Sequence, residues 1–219
     1  MKETPVSSRC AEILESREHV LLGISPLNSY YSEEKINELL CWARDNFKSF
    51  HVLTSDTIFK QNFLALGYDE KKATAKTRLN WNALRNKILR AFSNIGYNEQ
   101  ECQEKIIALS GKLPDGSLFN AIREACTKRY KHDLEFKQKC LSSSKEVIKN
   151  YSADVNDAML EVAAVYLLEE MPFYLDTPSM LDVPTSLMVY HKAIPFFTDL
   201  YKDRAEYLVS NNQGHLILA

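Results

Sequence analysis

The chain has 219 residues, a formal net charge of −2, 45% hydrophobic residues and 26% charged residues. That length suits one domain, 1–219, with a sizeable core, and the near-neutral balance excludes a generally basic nucleic-acid binder, so RNA contact would need a local patch. No apolar stretch approaches the ~18 residues of a membrane span, and residues 1–18 carry no signal pattern. Five scattered cysteines without C-x-x-C spacing argue against a disulfide framework or a zinc site. They fit a reducing, cytoplasmic compartment, with a monomer as the working expectation.

Ser8 to Glu15 reads as a short surface helix. Val20 to Ile24 is an apolar run broken only by Gly23, the pattern of a strand buried on both faces of a parallel sheet. The run stops at Ser25-Pro26. Ser32 then caps a helix with Glu33 and Glu34 in its first turn, and Ile36, Leu39, Leu40, Ala43 and Phe47 share its inner face. Phe50 to Thr54 is the next strand, and Ser55-Asp56 caps a helix that Gly67 stops. Strand, helix, strand, helix at these lengths make a βαβ unit.

Lys71 to Arg90 contains seven basic residues and no Asp or Glu. It reads as a helix with Leu79, Leu84, Ile88 and Phe92 inside and Gly96 at its end. Its charges suit a phosphate backbone or form a solvated basic face, and the residues alone support both. Trp81 stacks on a base or anchors the helix in the core, the latter being the commoner use. Ile106 to Leu109 ends a helix or forms a short strand, and Pro114-Asp-Gly116 is a turn. Ser117 to Cys140 is one helix, carrying Lys128, Arg129 and Lys131. Ser142 to Ser144 separates it from a long helix whose inner face holds Val155, Met159, Val162, Ala163 and Tyr166. Pro172 ends or kinks that helix, and Pro178 and Pro184 bound a loop. Leu187 to Tyr190 is a strand. Pro195 to Val209 is the last helix, with Phe196, Phe197, Leu200 and Leu208 available for packing, and the tail after Ser210 is loose.

Ser25 sits just past the carboxyl end of a central strand, where open α/β sheets bind ligands. It is a nucleophile there, or it only closes a turn. The G-x-S-x-G elbow is not met, because Leu27 stands where the second Gly belongs. His19 lies six residues up an extended strand, roughly 20 Å away. His51 opens a strand, and His132 and His215 read as exposed. No Ser-His-Asp arrangement is legible, and a Ser without a strong base needs an acyl donor that is already activated, such as an ester. Tyr166 and Glu170 stand at i and i+4 on one helix face beside Leu167 and Leu168. Glu170 there holds a cation such as an α-ammonium, or pairs with a Lys or Arg of the chain. Tyr166 and Tyr190 serve the core or the site, and Asn28 caps a turn or meets a ligand.

Three blocks together resemble the cyclodipeptide synthases. His19-Val-Leu-Leu-Gly23-Ile-Ser25-Pro-Leu-Asn28-Ser29 is similar to their first motif, Tyr166-Leu-Leu-Glu-Glu170-Met-Pro172-Phe173 to their second, and Tyr190-His191 completes the pattern. The resemblance implies an α/β, Rossmann-like parallel sheet flanked by helices, similar to the catalytic domain of class I tyrosyl- and tryptophanyl-tRNA synthetases. It implies two aminoacyl-tRNAs as substrates, with no cofactor, ATP or metal. It further implies that Ser25 takes the first aminoacyl group, that Glu170 and Tyr166 hold its amino group, and that Tyr190 relays protons. The second amine then attacks the Ser25 ester, and the dipeptide closes to a diketopiperazine. Asn28, Tyr190 and His191 match the subfamily carrying Asn, Tyr and His there.

The substrate site is expected to include Gly23, Asn28, Tyr166, Leu167, Leu168, Glu169, Glu170 and His191. Leu21, Leu53, Phe173 and Tyr174 join Gly23 around an apolar first amino acid. Lys76, Arg78, Arg85, Lys87 and Arg90 are the tRNA-binding candidates. Two other readings compete: a serine hydrolase of small esters, and a non-catalytic tRNA-binding module of Rossmann-like fold. The chain has no P-loop and no G-x-G-x-x-G, consistent with a fold that does not activate the amino acid itself.

Overall fold

The computed structural model describes residues 1–110, 116–149, 151–152 and 154–219; Pro114 and Asp115 of the expected turn lie outside them. The strands are β1 (Glu3–Pro5), β2 (His19–Ile24), β3 (Ser49–Thr54), β4 (Ile106–Ala108), β5 (Ser186–Tyr190) and β6 (Gln213–Leu218). The helices are α1 (Ser8–Ser16), α2 (Glu33–Asn46), α3 (Lys60–Ala65), α4 (Glu70–Asn94), α5 (Glu99–Lys105), α6 (Gly116–His132), α7 (Leu134–Ile148), α8 (Asp157–Leu181) and α9 (Pro195–Lys202).

The strands form one sheet in the order β1-β6-β5-β2-β3-β4. All neighbours are parallel except β1, which pairs antiparallel with β6. β2 is central because its apolar run suits burial on both faces. Val20, Leu22 and Ile24 join a core with α2 and α4, while Leu21, Leu53 and Met188 point into a second core built by α6 to α9. This alternation is the period-two geometry of a strand, and it leaves the carboxyl ends of β2, β3 and β5 at one edge.

The expected cap at Ser32 is present: its hydroxyl accepts from the Lys35 N–H at 3.1 Å. Asp56, expected to cap a helix, instead accepts from the Ser110 N–H at 3.1 Å. Of the stretch 106–109, residues 106–108 form the short edge strand β4. Ser117–Cys140 is two helices, divided at Asp133, whose carboxylate caps α7 by accepting from the Phe136 N–H at 3.0 Å. Ser142 to Ser144 lie within α7. Leu79 is 70% exposed, because Thr77, Leu84 and Ile88 set the inner face and Leu79 falls outside it. Leu208 is 82% exposed, beyond the end of α9.

α8 passes through Pro172 and kinks at Asp176, which has φ −157° and ψ 57°. Pro178 has no N–H for the carbonyl of Tyr174, and the Tyr201 hydroxyl donates to that carbonyl at 2.6 Å. Pro178 therefore lies inside the helix and bounds no loop. The tail is not loose: β6 covers the edge of β5 and is itself closed by the short β1. A six-residue strand opening Gln-Gly-His has little apolar pattern, yet His215 is fully buried, its Nδ1–H donating to the Met188 carbonyl at 2.9 Å.

Candidate active site

The turn after β2 puts Ser25 at the sheet edge. Leu27 takes a left-handed conformation (φ 58°), which swings Asn28 back towards the strand end. Asn28 Oδ1 accepts from the Tyr30 N–H at 3.1 Å, which orients the amide. Its Nδ2 then donates to Ser25 Oγ at 3.4 Å and to the Tyr190 hydroxyl at 3.3 Å. Ser25 Oγ and the Tyr190 hydroxyl lie 3.2 Å apart and share a hydrogen bond. Two strand ends and one turn thus converge on a single hydroxyl.

These groups open into a cavity of about 520 Å³, whose opposite wall is α8. Ala163, Tyr166, Leu167, Glu170 and Tyr174 line it at three- and four-residue steps along one helix face. The Tyr166 hydroxyl donates to Glu170 Oε1 at 2.5 Å, and Phe59 packs edge-on against the Tyr166 ring. Tyr174 stacks on Phe197 and floors the cavity. Among the described residues Glu170 has no ion pair. Burial raises its carboxyl to about 7, against the opposing hydrogen bond from Tyr166. Burial also raises Tyr166 and Tyr190, so both are phenols at neutral pH. The wall offers an acid–base group poised near neutrality, and a place where a positive charge would find a partner.

The sequence-predicted site residues divide. Ser25, Asn28, Gly23, Leu53, Tyr166, Leu167, Glu170, Tyr174 and Tyr190 line this cavity. Leu21, Leu168 and Phe173 do not; they are buried in the core behind it. Glu169 points the other way and meets Arg123 at 3.4 Å, because successive helical residues diverge by about 100°. His191 also lies off the cavity. It stacks on Tyr30 and meets the Tyr31 hydroxyl at 3.3 Å, and burial lowers it to about 4. It braces Tyr190 from behind and makes no hydrogen bond to Ser25. His19 is bonded to Ser186 and His51 at the opposite end of β2. No histidine therefore reaches Ser25 as a base.

Several residues in or behind the cavity wall carried no readable signal. Tyr31, buried behind the wall, ties the Gly23 carbonyl (2.6 Å) to His191, and Met188 lines the cavity facing Gly23 across the β2–β5 pairing. Asn62 and Ser144 lie in the wall as buried polar groups on α3 and α7. Alternation along β5 could have exposed Met188, two residues before Tyr190. Nothing in the local pattern marks the others.

Gly23 is required by close approach. A Cβ there would sit 2.8 Å from Met188 Cε, 3.3 Å from the Val189 carbonyl oxygen and 3.6 Å from Tyr190 Cδ2. Gly23→Ala should cost about 1–3 kcal/mol of stability, read by urea unfolding, and should lower activity further by pushing Met188 and Tyr190 into the cavity.

The basic helix α4 is not one uniform face. Arg78 and Arg85 share a side with Trp81. Lys76 lies over the rings of Phe63 and Tyr68, and Arg90 pairs with Glu33 at 2.7 Å. Trp81 is half-buried at the rim of a second cavity and is not a core anchor.

The family model for cyclodipeptide synthases matches residues 1–219. The chain belongs to the cyclodipeptide synthase family. It is similar to a cyclo(L-leucyl-L-leucyl) synthase of Bacillus subtilis (strain 168), at 30% identity over 97% of this chain and 87% of that protein. Among solved structures, a cyclodipeptide synthase from Staphylococcus haemolyticus superposes with a TM-score of 0.90 at 27% identity, covering all of this chain and 98% of the other. A Mycobacterium tuberculosis protein, whose structure demonstrates that cyclodipeptide synthetases are related to type I tRNA synthetases, superposes with a TM-score of 0.85 at 25% identity, covering 98% and 91%. The six-stranded α/β fold is thus the Rossmann-like fold of this family of aminoacyl-tRNA-using transferases. The five cysteines are free. Among the described residues, no helix is long and apolar enough to cross a membrane, and no cluster of three His, Cys, Asp or Glu side chains could hold a metal ion.

Proposed function

We propose that this cyclodipeptide synthase joins two aminoacyl groups, each delivered on tRNA, through covalent intermediates on Ser25. The observation that carries this is the Ser25–Asn28–Tyr190 hydrogen-bonded group facing Tyr166 and Glu170 across one cavity. Ser25 Oγ attacks the first ester carbonyl, and the tRNA ribose hydroxyl leaves with a proton. Glu170, ionised, pairs with the α-ammonium of the bound residue, while Tyr166 fixes the carboxylate by its hydrogen bond. The second α-amine attacks the Ser25 ester and frees the hydroxyl, leaving a dipeptidyl group on the second tRNA. Ser25 Oγ then attacks that tRNA ester, the second ribose hydroxyl leaves, and a dipeptidyl-enzyme forms. The dipeptide's own amine then attacks the remaining ester, releases Ser25 and closes the diketopiperazine. Tyr190, bonded to Ser25 and kept as a phenol, hands protons between the attacking and leaving groups. An ester donor suits this arrangement, because Ser25 has no histidine base.

On this reading the chain is of the Asn-Tyr-His subfamily, which the presence of Asn28, Tyr190 and His191 supports, with His191 acting as a brace. Leu53, Leu167 and Met188 in the wall favour an apolar first aminoacyl group. Residues 1–219 act as one unit, since the sheet draws strands from both chain ends.

Incubation with a pool of charged tRNAs, followed by mass spectrometry of protein and small molecules, tests the proposal. An aminoacyl adduct on Ser25 and a diketopiperazine are expected. Ester turnover without RNA would point to a hydrolase, and tRNA retention without an adduct to a binding module.

For tRNA, Arg85→Ala with Lys87→Ala should raise KM and flatten its dependence on salt, by up to about one unit of log–log slope for each phosphate no longer neutralised. Arg90→Ala alone should do less, because Glu33 already neutralises Arg90. Steady-state kinetics at several salt concentrations would show it, and identical slopes in all variants would remove α4 from the interface.

A further inference from the structure

A second, larger cavity of about 860 Å³ lies next to the Ser25 cavity. The two are separated by Ile58–Phe59 and Glu169–Glu170: Ile58 and Glu169 open into this one, Phe59 and Glu170 into the other. We propose that the larger cavity seats unpaired 3′-terminal nucleotides of the tRNA, with a base stacked on Trp81 and a phosphate meeting Arg78. This rests on the reading that aminoacyl-tRNA acylates Ser25.

Three observations carry it. First, Thr74, Arg78 and Trp81 line the cavity from α4, and Lys71 and Arg85 extend the same row at three- and four-residue steps. An aromatic ring set between cations along a groove is the combination that binds single-stranded nucleic acid: the ring takes a base, the cations take its phosphates. Among the described residues, no other ring stacks on Trp81. Second, the charges favour an anion. Asp56 is engaged by the Ser110 N–H and hydroxyl, and Glu169 is spent on Arg123 at 3.4 Å. Lys60 is paired with Glu70 at 2.6 Å, whereas Arg78 has no ion pair among the described residues. Third, the two cavities are neighbours. A strand end lying against Trp81 has only the 58–59 turn and the α8 wall between it and the cavity where the ester must arrive.

The protein has two tryptophans, so Trp42→Phe leaves Trp81 as the sole indole reporter. Titration of that variant with the trinucleotide CpCpA should quench Trp81 fluorescence saturably. The quenching should weaken with salt and with Arg78→Ala. In the full reaction, Trp81→Ala should raise KM for charged tRNA on the order of tenfold, and Trp81→Phe should restore most of it. Acylation of Ser25 by a small activated aminoacyl ester, which has no nucleotide, should be the same in all three proteins. Unquenched Trp81 at millimolar CpCpA, or an unchanged KM in Trp81→Ala, would overturn the proposal. CpCpA binding in a protein that never acylates Ser25 would keep the site and remove the mechanism instead.

Discussion

Ser25→Ala is expected to lower diketopiperazine formation by at least about 10³-fold and to abolish the covalent aminoacyl adduct, with the fold intact. The hydroxyl contributes only a shared hydrogen bond with Tyr190 and a long one from Asn28, so its removal should cost about 1 kcal/mol of stability. Circular dichroism and urea unfolding would check the fold, and intact-protein mass spectrometry the adduct. A partner experiment sharpens the result. Tyr190→Phe keeps the ring beside His191 and loses the hydroxyl, so adduct formation should slow while Ser25 stays labelled. If Ser25→Ala still made product at the wild-type rate, the acyl chain would have to pass directly from one tRNA to the other amine.

Glu170→Gln should do two opposite things. It should lower activity by about 10²-fold, because the neutral amide cannot pair with an α-ammonium in a cavity where charge is poorly screened. It should also stabilise the empty protein at alkaline pH. The carboxyl sits near 7 in the folded chain and near 4.5 when unfolded, so burial favours its neutral form. A raised folded value means that the group's contribution is fully present below pH 4.5 and is lost as pH rises through about 7. The wild type should therefore weaken across that window by up to about 3 kcal/mol. The amide of the variant carries no charge to desolvate, so the variant should lack that slope. Urea midpoints at about pH 5 and about pH 8 for both proteins would measure the difference. The same carboxyl should make wild-type kcat/KM climb as pH rises through about 7, since only its ionised form pairs with the ammonium. A wild type whose stability is flat across that range would mean that the carboxylate is already compensated in the folded state.

Local pattern and shared site geometry were legible to different degrees. The run from Val20 to Ile24 announces a two-faced strand because every side chain on it must avoid water, and the polar break at Ser25 marks its end. Tyr166 and Glu170 are placed on one face by helical spacing alone. His191 shows the limit. Its neighbour Tyr190 points into the cavity, and adjacent residues at a strand end diverge, so a two-residue motif cannot tell which side chain meets substrate. Glu169 beside Glu170 fails in the same way on a helix.

The order of residues along the chain was enough to set the alternation of strand and helix, the Ser32 cap, the central position of β2 and the identity of the three blocks. All are consequences of interactions within a few residues. Packing between distant segments settled that residues 213–218 close the sheet, that α8 bends at Asp176, and that Leu21 and Phe173 are core. It also put Asn62, Ser144 and Met188 in one wall with Ser25, and divided the basic residues of α4 between two sides. Those outcomes depend on segments far apart in the chain, and burial there is set by what packs opposite, which no local pattern encodes.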